Sequence, residues 1–337
     1  MNSKKVLIFP LVIILLLGCT SNYTKDATPQ TNFNALWEII DTKYCFFDVK
    51  GINWDSIKYI YEPQLTNVKT EMDLFNLFAN MLNELQDGHV NLYSSFDISR
   101  CRSFYEDYPV NYNSGIVYSD RYLTQNYKIA GGFHYGKIAN DSIGFIRYGS
   151  FSSGFSKSNL LYIDRYFANC KGIIIDVRSN GGGNADYSKQ LASCFFKEKT
   201  LVGYIKHKTG NAHNDFSQPQ AFYISPQDQL INWSDKRIVI LCNRLSYSAT
   251  NDFLSAVRYA PNVLLAGGIS GGGGGIPLSN ELPIGWMVRF SAIPTYDAEM
   301  KHIEFGIEPD ILVNCDSTDA VKGIDSIIEK AIEVIQE

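Results

Sequence analysis

The chain has 337 residues, 45% hydrophobic, 13% aromatic and 19% charged, which is ample apolar material for a globular core and excludes a disordered or fibrous chain. Its 30 Lys and Arg against 35 Asp and Glu leave a formal charge of -5, which gives no electrostatic footing for nucleic acid. The length suits about two domains, or one α/β domain with a smaller appendage.

Residues 1–18 read as a targeting signal peptide and not as part of the fold. Lys4 and Lys5 precede an apolar run from Val6 to Leu17 that is too short to span a bilayer comfortably. The run ends in Leu16-Leu17-Gly18-Cys19, which resembles a bacterial lipobox. That resemblance implies cleavage before Cys19, lipidation of Cys19 and a membrane anchor in the cell envelope. With no Asp after Cys19, it points to the outer membrane. Residues 19–32 then form the lipidated cysteine and a polar tether carrying Pro29. The six remaining cysteines, Cys45, Cys101, Cys170, Cys194, Cys242 and Cys315, include no C-x-x-C and no Cys/His cluster at metal-ligand spacing, so no metal is expected. Cys170, Cys194 and Cys242 lie in apolar stretches and read as buried thiols.

Organised sequence is expected from Phe33. Phe33, Leu36, Trp37, Ile40 and Tyr44 recur at helical spacing, and Leu74, Leu77, Phe78, Met81, Leu82 and Leu85 repeat the pattern. A small helical region over 33–102 is the prediction. From 103 to 337 the pattern becomes α/β. Short β-like runs at 127–130, 142–147, 172–177, 200–204, 237–241 and 263–266 are interspersed with helical patterns at 155–167, 187–196 and 249–259, which suits parallel strands joined by helical crossovers. Trp286, Val288 and Phe290 alternate as a strand, and a final amphipathic helix is predicted from Asp319 to Ile335, capped by Ser317 or Thr318. No internal repeat is present.

Three segments end an element with residues that a packed core would not choose. In Glu84-Leu85-Gln86-Asp87-Gly88-His89 a helix is expected to stop at Gly88 and present His89, which alone would read as a helix cap. In Gly172-Ile173-Ile174-Ile175-Asp176-Val177-Arg178-Ser179-Asn180-Gly181-Gly182-Gly183 a buried strand runs into three glycines whose bare N–H groups suit an oxyanion site beside a helix start near Ala185. In Ile238-Val239-Ile240-Leu241-Cys242-Asn243-Arg244-Leu245-Ser246-Tyr247-Ser248-Ala249 a strand delivers a serine to the start of a helix, where Ser248 alone would read as an N-cap. The run Gly271 to Gly275 lacks the Lys-Ser/Thr ending of a phosphate loop and is expected to form a flexible rim of a cleft.

Taken together, and with Glu304-Phe305-Gly306-Ile307-Glu308-Pro309-Asp310 and Val321-Lys322-Gly323-Ile324-Asp325, these segments resemble the tricorn and carboxy-terminal processing (tail-specific) family of serine peptidases from about Phe33 to Glu337. The resemblance implies a ClpP/crotonase-like α/β catalytic domain with the helical region before it. It implies Ser248 as nucleophile, His89 as general base, and the N–H of Ala249 with that of Gly181 or Gly182 as oxyanion hole. Glu304 matches a glutamate that orients or charge-stabilises the site. No metal or organic cofactor is implied.

The chain also departs from the family pattern. No lysine lies between Ala266 and Ile276, so a local Ser-Lys dyad is unsupported, and Gly88 and Asn251 stand where relatives carry Ser and Glu. About fifty residues separate His89 from the strand at Ser142, too few for a PDZ module. The expected activity is endopeptidase cleavage of unfolded proteins or peptides in the bacterial envelope. Two other readings stay open: a noncatalytic peptide- or ligand-binding protein on the same fold, and a hydrolase of another acyl substrate.

Overall fold

The computed structural model describes residues 27–226, 231 and 233–337. The expected signal peptide and Cys19 lie outside the described residues.

In chain order the elements are α1 (Pro29–Lys43), α2 (Phe47–Lys50), α3 (Trp54–Tyr61), α4 (Glu71–Asn83), β1 (Asn91–Tyr93), α5 (Ser114–Val117), β2 (Lys128–Ala130), β3 (Phe133–Ile138), β4 (Ile143–Tyr148), α6 (Lys157–Tyr166), β5 (Gly172–Asp176) and α7 (Ala185–Ala192). They continue with β6 (Thr200–Ile205), β7 (Gln220–Ile224), β8 (Arg237–Cys242), α8 (Ala249–Val257), β9 (Val263–Gly267), β10 (Gly275–Glu281), β11 (Met287–Asp297), β12 (Ile311–Leu312), α9 (Ser317–Val321) and α10 (Ser326–Gln336).

One sheet has the order β12-β9-β8-β5-β4-β3-β2, with parallel pairing from β12 to β4 and an antiparallel edge. Its central strands are buried on both faces, which explains their unbroken apolar runs. Along β5, Ile173 and Ile175 face the core beneath α6, α7 and α8, while Ile174 faces the core filled by Ile327, Ile328 and Ala331 of α10. The second sheet is antiparallel, β1-β11-β6-β7, with β10 also pairing β11.

The helical region does not close its own core. Phe33, Leu36 and Ile40 of α1 and Leu74, Phe78 and Met81 of α4 pack with Trp286, Val288 and Phe290, contributed by or next to β11, some two hundred residues later in the chain. Two boundaries differ from expectation. Helix α1 starts at Pro29 and not at Phe33, because Thr28 caps it, accepting from Thr31 N, and proline suits the first turn. The predicted final helix is split into α9 and α10: Gly323 takes a left-handed φ of 74°, and the N-caps are Asp316 and Asp325 in place of Ser317 or Thr318. Between β1 and β3 the chain forms a short 3₁₀ turn at Ser103–Tyr105, α5 and β2, with no room for a PDZ module.

Arg178, fully buried just beyond β5, joins these layers. Its guanidinium donates to Asp176 Oδ2 (2.7 Å), Asp325 Oδ2 (2.8 Å) and Asn111 O (3.0 Å). Burial alone would raise the pKa of Asp176, but Arg178 and then Arg147 hold it below the ordinary carboxylate range. Arg178→Ala leaves Asp176 and Asp325 uncompensated in the interior, so it is expected to destabilise the protein by about 3–5 kcal/mol. Denaturant unfolding followed by circular dichroism measures this, and an unchanged midpoint would contradict it.

Candidate active site

Strands β5 and β8 are parallel neighbours, so the loops leaving their carboxyl ends emerge side by side. The loops are stitched together: Asn243 Oδ1 accepts from Ser179 N (2.7 Å), Ser246 Oγ donates to Val177 O (2.9 Å), and Tyr247 N donates to Asn180 O (3.1 Å). At the end of the second loop Ser248 has φ 57° and ψ -125°, a conformation that costs an L-residue about 1–3 kcal/mol and persists only where the surroundings enforce it. Its N–H donates to Gly272 O (2.9 Å). Its side chain makes no capping bond to α8 and instead sits 2.9 Å from His89 Nε2.

His89 reaches that position differently from expectation. Helix α4 ends at Asn83 and the chain turns at Gln86, which has φ 45°, so Gly88 is not the terminator. Gly88 is needed for packing, since a Cβ there would lie 2.8 Å from the Tyr247 hydroxyl oxygen. The His89 backbone N–H donates to Asp87 Oδ1 (2.8 Å), and Tyr44 Oη donates to Asp87 Oδ2 (3.0 Å). The imidazole packs on the Tyr247 ring with centroids 4.8 Å apart. Burial lowers the His89 pKa to about 4, with Asp87 opposing and Arg289 reinforcing the shift. The Gly275 backbone also favours the protonated ring, but among the described residues no acceptor meets Nδ1 at full hydrogen-bond geometry.

Of the expected oxyanion donors, the N–H groups of Ala249 and Gly181 have no protein partner among the described residues. That of Gly182 is committed to Asn180 Oδ1 (3.0 Å), which removes it as a donor. Gly182 serves through close approach: a Cβ there would fall 2.7 Å from Tyr247 O and 2.8 Å from Ala249 N. At Gly181 a Cβ would meet nothing within 4 Å, because this residue borders open space. Gly181, Gly182, His89 and Ser248 line one cleft of about 590 Å³, with Phe104, Tyr105 and Arg289 on its walls.

Glu304 is near the site but makes no hydrogen bond to the His89 ring. It pairs with Lys50 (Nζ to Oε1, 2.8 Å) and accepts from Gly274 N at Oε2 (2.9 Å). Burial, then the neighbouring Asp87, pushes its pKa up to about 7 against the pull of Lys50. Lys50 also donates to Gln86 O (3.0 Å), just before the Asp87–His89 turn. Residues 271–275 are not a flexible rim. They are buried, Gly273 N donates to Glu304 O (3.2 Å), and Thr295 Oγ1 and N both donate to Gly274 O (2.6 and 2.7 Å), so the run is a fixed support behind Ser248. Asn251 also points away from the cleft, donating to Ile303 O (2.9 Å) and accepting from Ser270 Oγ (2.6 Å).

Asp87, Lys50, Tyr44 and Asn180 were not singled out from the sequence. Asp87 and Asn180 stand inside the segments that drew attention, two residues from His89 and Gly182, where a short acceptor side chain can bond the backbone two positions on. Lys50 and Tyr44 carry no local signal.

A chain with a parallel-sheet core, a serine at a strand-to-helix elbow, a histidine against it and a glycine loop beside it is a peptidase of the tricorn-like class. The sequence matches the model of peptidase family S41 over residues 142–313, about half of the chain, and that of the tricorn protease C1 domain over residues 25–83. The chain belongs to peptidase family S41. A crystallised Parabacteroides merdae protein assigned as a peptidase is 47% identical, with a TM-score of 0.88 over 93% of this chain and 98% of that one. Mature CPAF (12% identity, TM-score 0.67, 91% of this chain and 96% of that one) and the photosystem II D1 C-terminal processing protease (15%, 0.52, 89% and 96%) share the fold. No curated protein sequence matches significantly.

With its pKa lowered to about 4, His89 is neutral across the physiological range and protonates only as pH falls through that value. Imidazole resonances of selectively labelled protein, assigned by comparison with His89→Gln, should show this histidine titrating near pH 4. A midpoint near the ordinary value of about 6.5 would contradict the burial argument.

Proposed function

We propose that this S41 peptidase is a lipid-anchored serine endopeptidase that cleaves unfolded proteins or peptides in the bacterial cell envelope. The 2.9 Å contact between Ser248 Oγ and His89 Nε2 carries the reading, because a serine hydroxyl becomes a nucleophile only with a base within hydrogen-bond reach. In the first half-reaction Ser248 Oγ bonds to the scissile carbonyl carbon while its proton passes to His89 Nε2. The carbonyl oxygen, now an anion, is held by the N–H groups of Gly181 and Ala249. Collapse of this intermediate breaks the C–N bond, and the imidazolium returns the proton to the leaving amine. Water, deprotonated by His89 in the second half, releases the acyl group and restores Ser248.

The low pKa of His89 makes it a modest base and a strong acid once protonated, which favours the second proton transfer. Asp87 is the buried charge that favours the imidazolium. An unfolded chain suits the cleft, because among the described residues no separate module stands beside it and the cleft itself must select the substrate.

With unfolded casein and a mixed peptide library, products read by mass spectrometry should disappear in Ser248→Ala and His89→Ala, each losing at least about a thousandfold in rate while folding normally. Cleavage surviving Ser248→Ala would overturn the assignment. The unmet Nδ1 of His89 is the observation that favours a noncatalytic binding protein. Retained peptide affinity with no turnover by the wild type would select that reading, and turnover of small esters or muropeptides alone would select another acyl substrate. The lipid anchor rests on Leu16-Leu17-Gly18-Cys19. Cells fed a clickable fatty acid should label the wild type and not Cys19→Ser, and equal labelling would contradict it.

A further inference from the structure

A second cavity, about 180 Å³, lies between α7 and α8 on one side and β6 and β7 on the other. Its walls are largely apolar, formed by such side chains as Val202, Ile224 and Ala256, and one carboxylate, that of Asp252, stands among them. Asp252 makes no side-chain hydrogen bond or ion pair with any described residue, and what surface it keeps open lines this cavity. Burial alone, with no charged neighbour contributing, raises its pKa to about 7. The one cation in the lining, Lys189, holds its Nζ 5.3 Å from the centre of the Phe222 ring on the cavity wall and forms no ion pair with Asp252.

The cavity and the cleft share no lining residue but lie close together along both helix starts. Asp252 N donates to Ser248 O (3.0 Å), one helical turn from the elbow. Ala185 lines the cavity two residues after Gly183, which lines the cleft that holds Ser248. A substrate residue whose carbonyl carbon meets Ser248 Oγ carries its side chain on the adjacent Cα, and a long side chain extends further than the one helical turn between Ser248 and Asp252.

We propose that this cavity receives the side chain on the acyl side of the cleaved bond, and that Asp252 selects lysine or arginine there. The assignment rests on the serine endopeptidase reading of Ser248. Volume and chemistry both support it. About 150 Å³ accommodates a benzene-sized group, so one long side chain fits. A lysine or arginine would lay its aliphatic stem along the apolar walls and bring its charge to the one carboxylate in the lining. An aliphatic side chain would leave the carboxylate buried without a partner, and an acidic one would add repulsion.

The test separates binding from turnover. On full-length Ser248→Ala protein, calorimetry compares acetylated tripeptides ending in lysine and in norleucine. The lysine peptide should bind at least about tenfold more tightly, and Asp252→Asn should abolish the difference without lowering the melting temperature. Equal affinity, no binding of either, or a preference that persists in Asp252→Asn would overturn the proposal. With active enzyme, library products should carry lysine or arginine on the acyl side of most cuts. Ser248-dependent cuts without that bias would overturn the proposal and leave the peptidase reading standing. A lysine preference in binding with no cleavage by the wild type would overturn the peptidase reading and keep the cavity as a site for basic side chains.

Discussion

The hydrogen bond between His89 and Ser248 joins residues 159 positions apart, and most of the architecture can be read as the means of making that contact. Ser248 is held from the parallel sheet, at the end of β8, in a backbone conformation that an isolated loop would abandon. His89 comes from the opposite layer, after the helical region. A hydrogen bond of 2.9 Å tolerates a few tenths of an ångström of slack, so the two layers need a rigid joint.

That joint has an apolar and a polar part. The apolar part is the shared core in which Trp286, Val288 and Phe290 pack under α1 and α4. The polar part runs from the turn before His89, through Lys50 and Glu304, to the glycine run whose Gly272 carbonyl receives the Ser248 N–H. Glu304 thereby bonds to the supports of both partners without touching the imidazole. A buried arrangement of two carboxylates and one ammonium adds little net stability but fixes geometry, because any shift leaves a charge without its partner. Arg178 does the same for the glycine loop after β5, tying the end of that strand to the N-cap of α10.

The strands and crossover helices of the main sheet were legible in the sequence because each is a run of one period bounded by turn residues, whereas His89 and Ser248 read alone as caps and were expected to meet only through the family resemblance. Part of what was not legible depends on distant contacts. The fixed glycine run needs Glu304 and Thr295, whereas the commitment of Gly182 N to Asn180 and the split of the last helix at Gly323 and the Asp325 cap have local causes that periodicity alone does not reveal. The start at Pro29 has a local signal of its own, since Thr28 suits an N-cap and Pro29 the first turn, but the polar stretch around them has the composition of a tether. Lys50 and Tyr44 sit in an ordinary amphipathic stretch, and only the fold turns them towards the site.

The account stands on Ser248 being a nucleophile activated by His89. The most direct measurement is reaction of the full-length protein with a fluorophosphonate, the modified residue being mapped by mass spectrometry and the labelling rate compared between wild type and His89→Ala. A single adduct on Ser248 that forms at least about a hundredfold more slowly in His89→Ala is the predicted result. An adduct on another residue, or labelling of Ser248 at the same rate in both proteins, would contradict it.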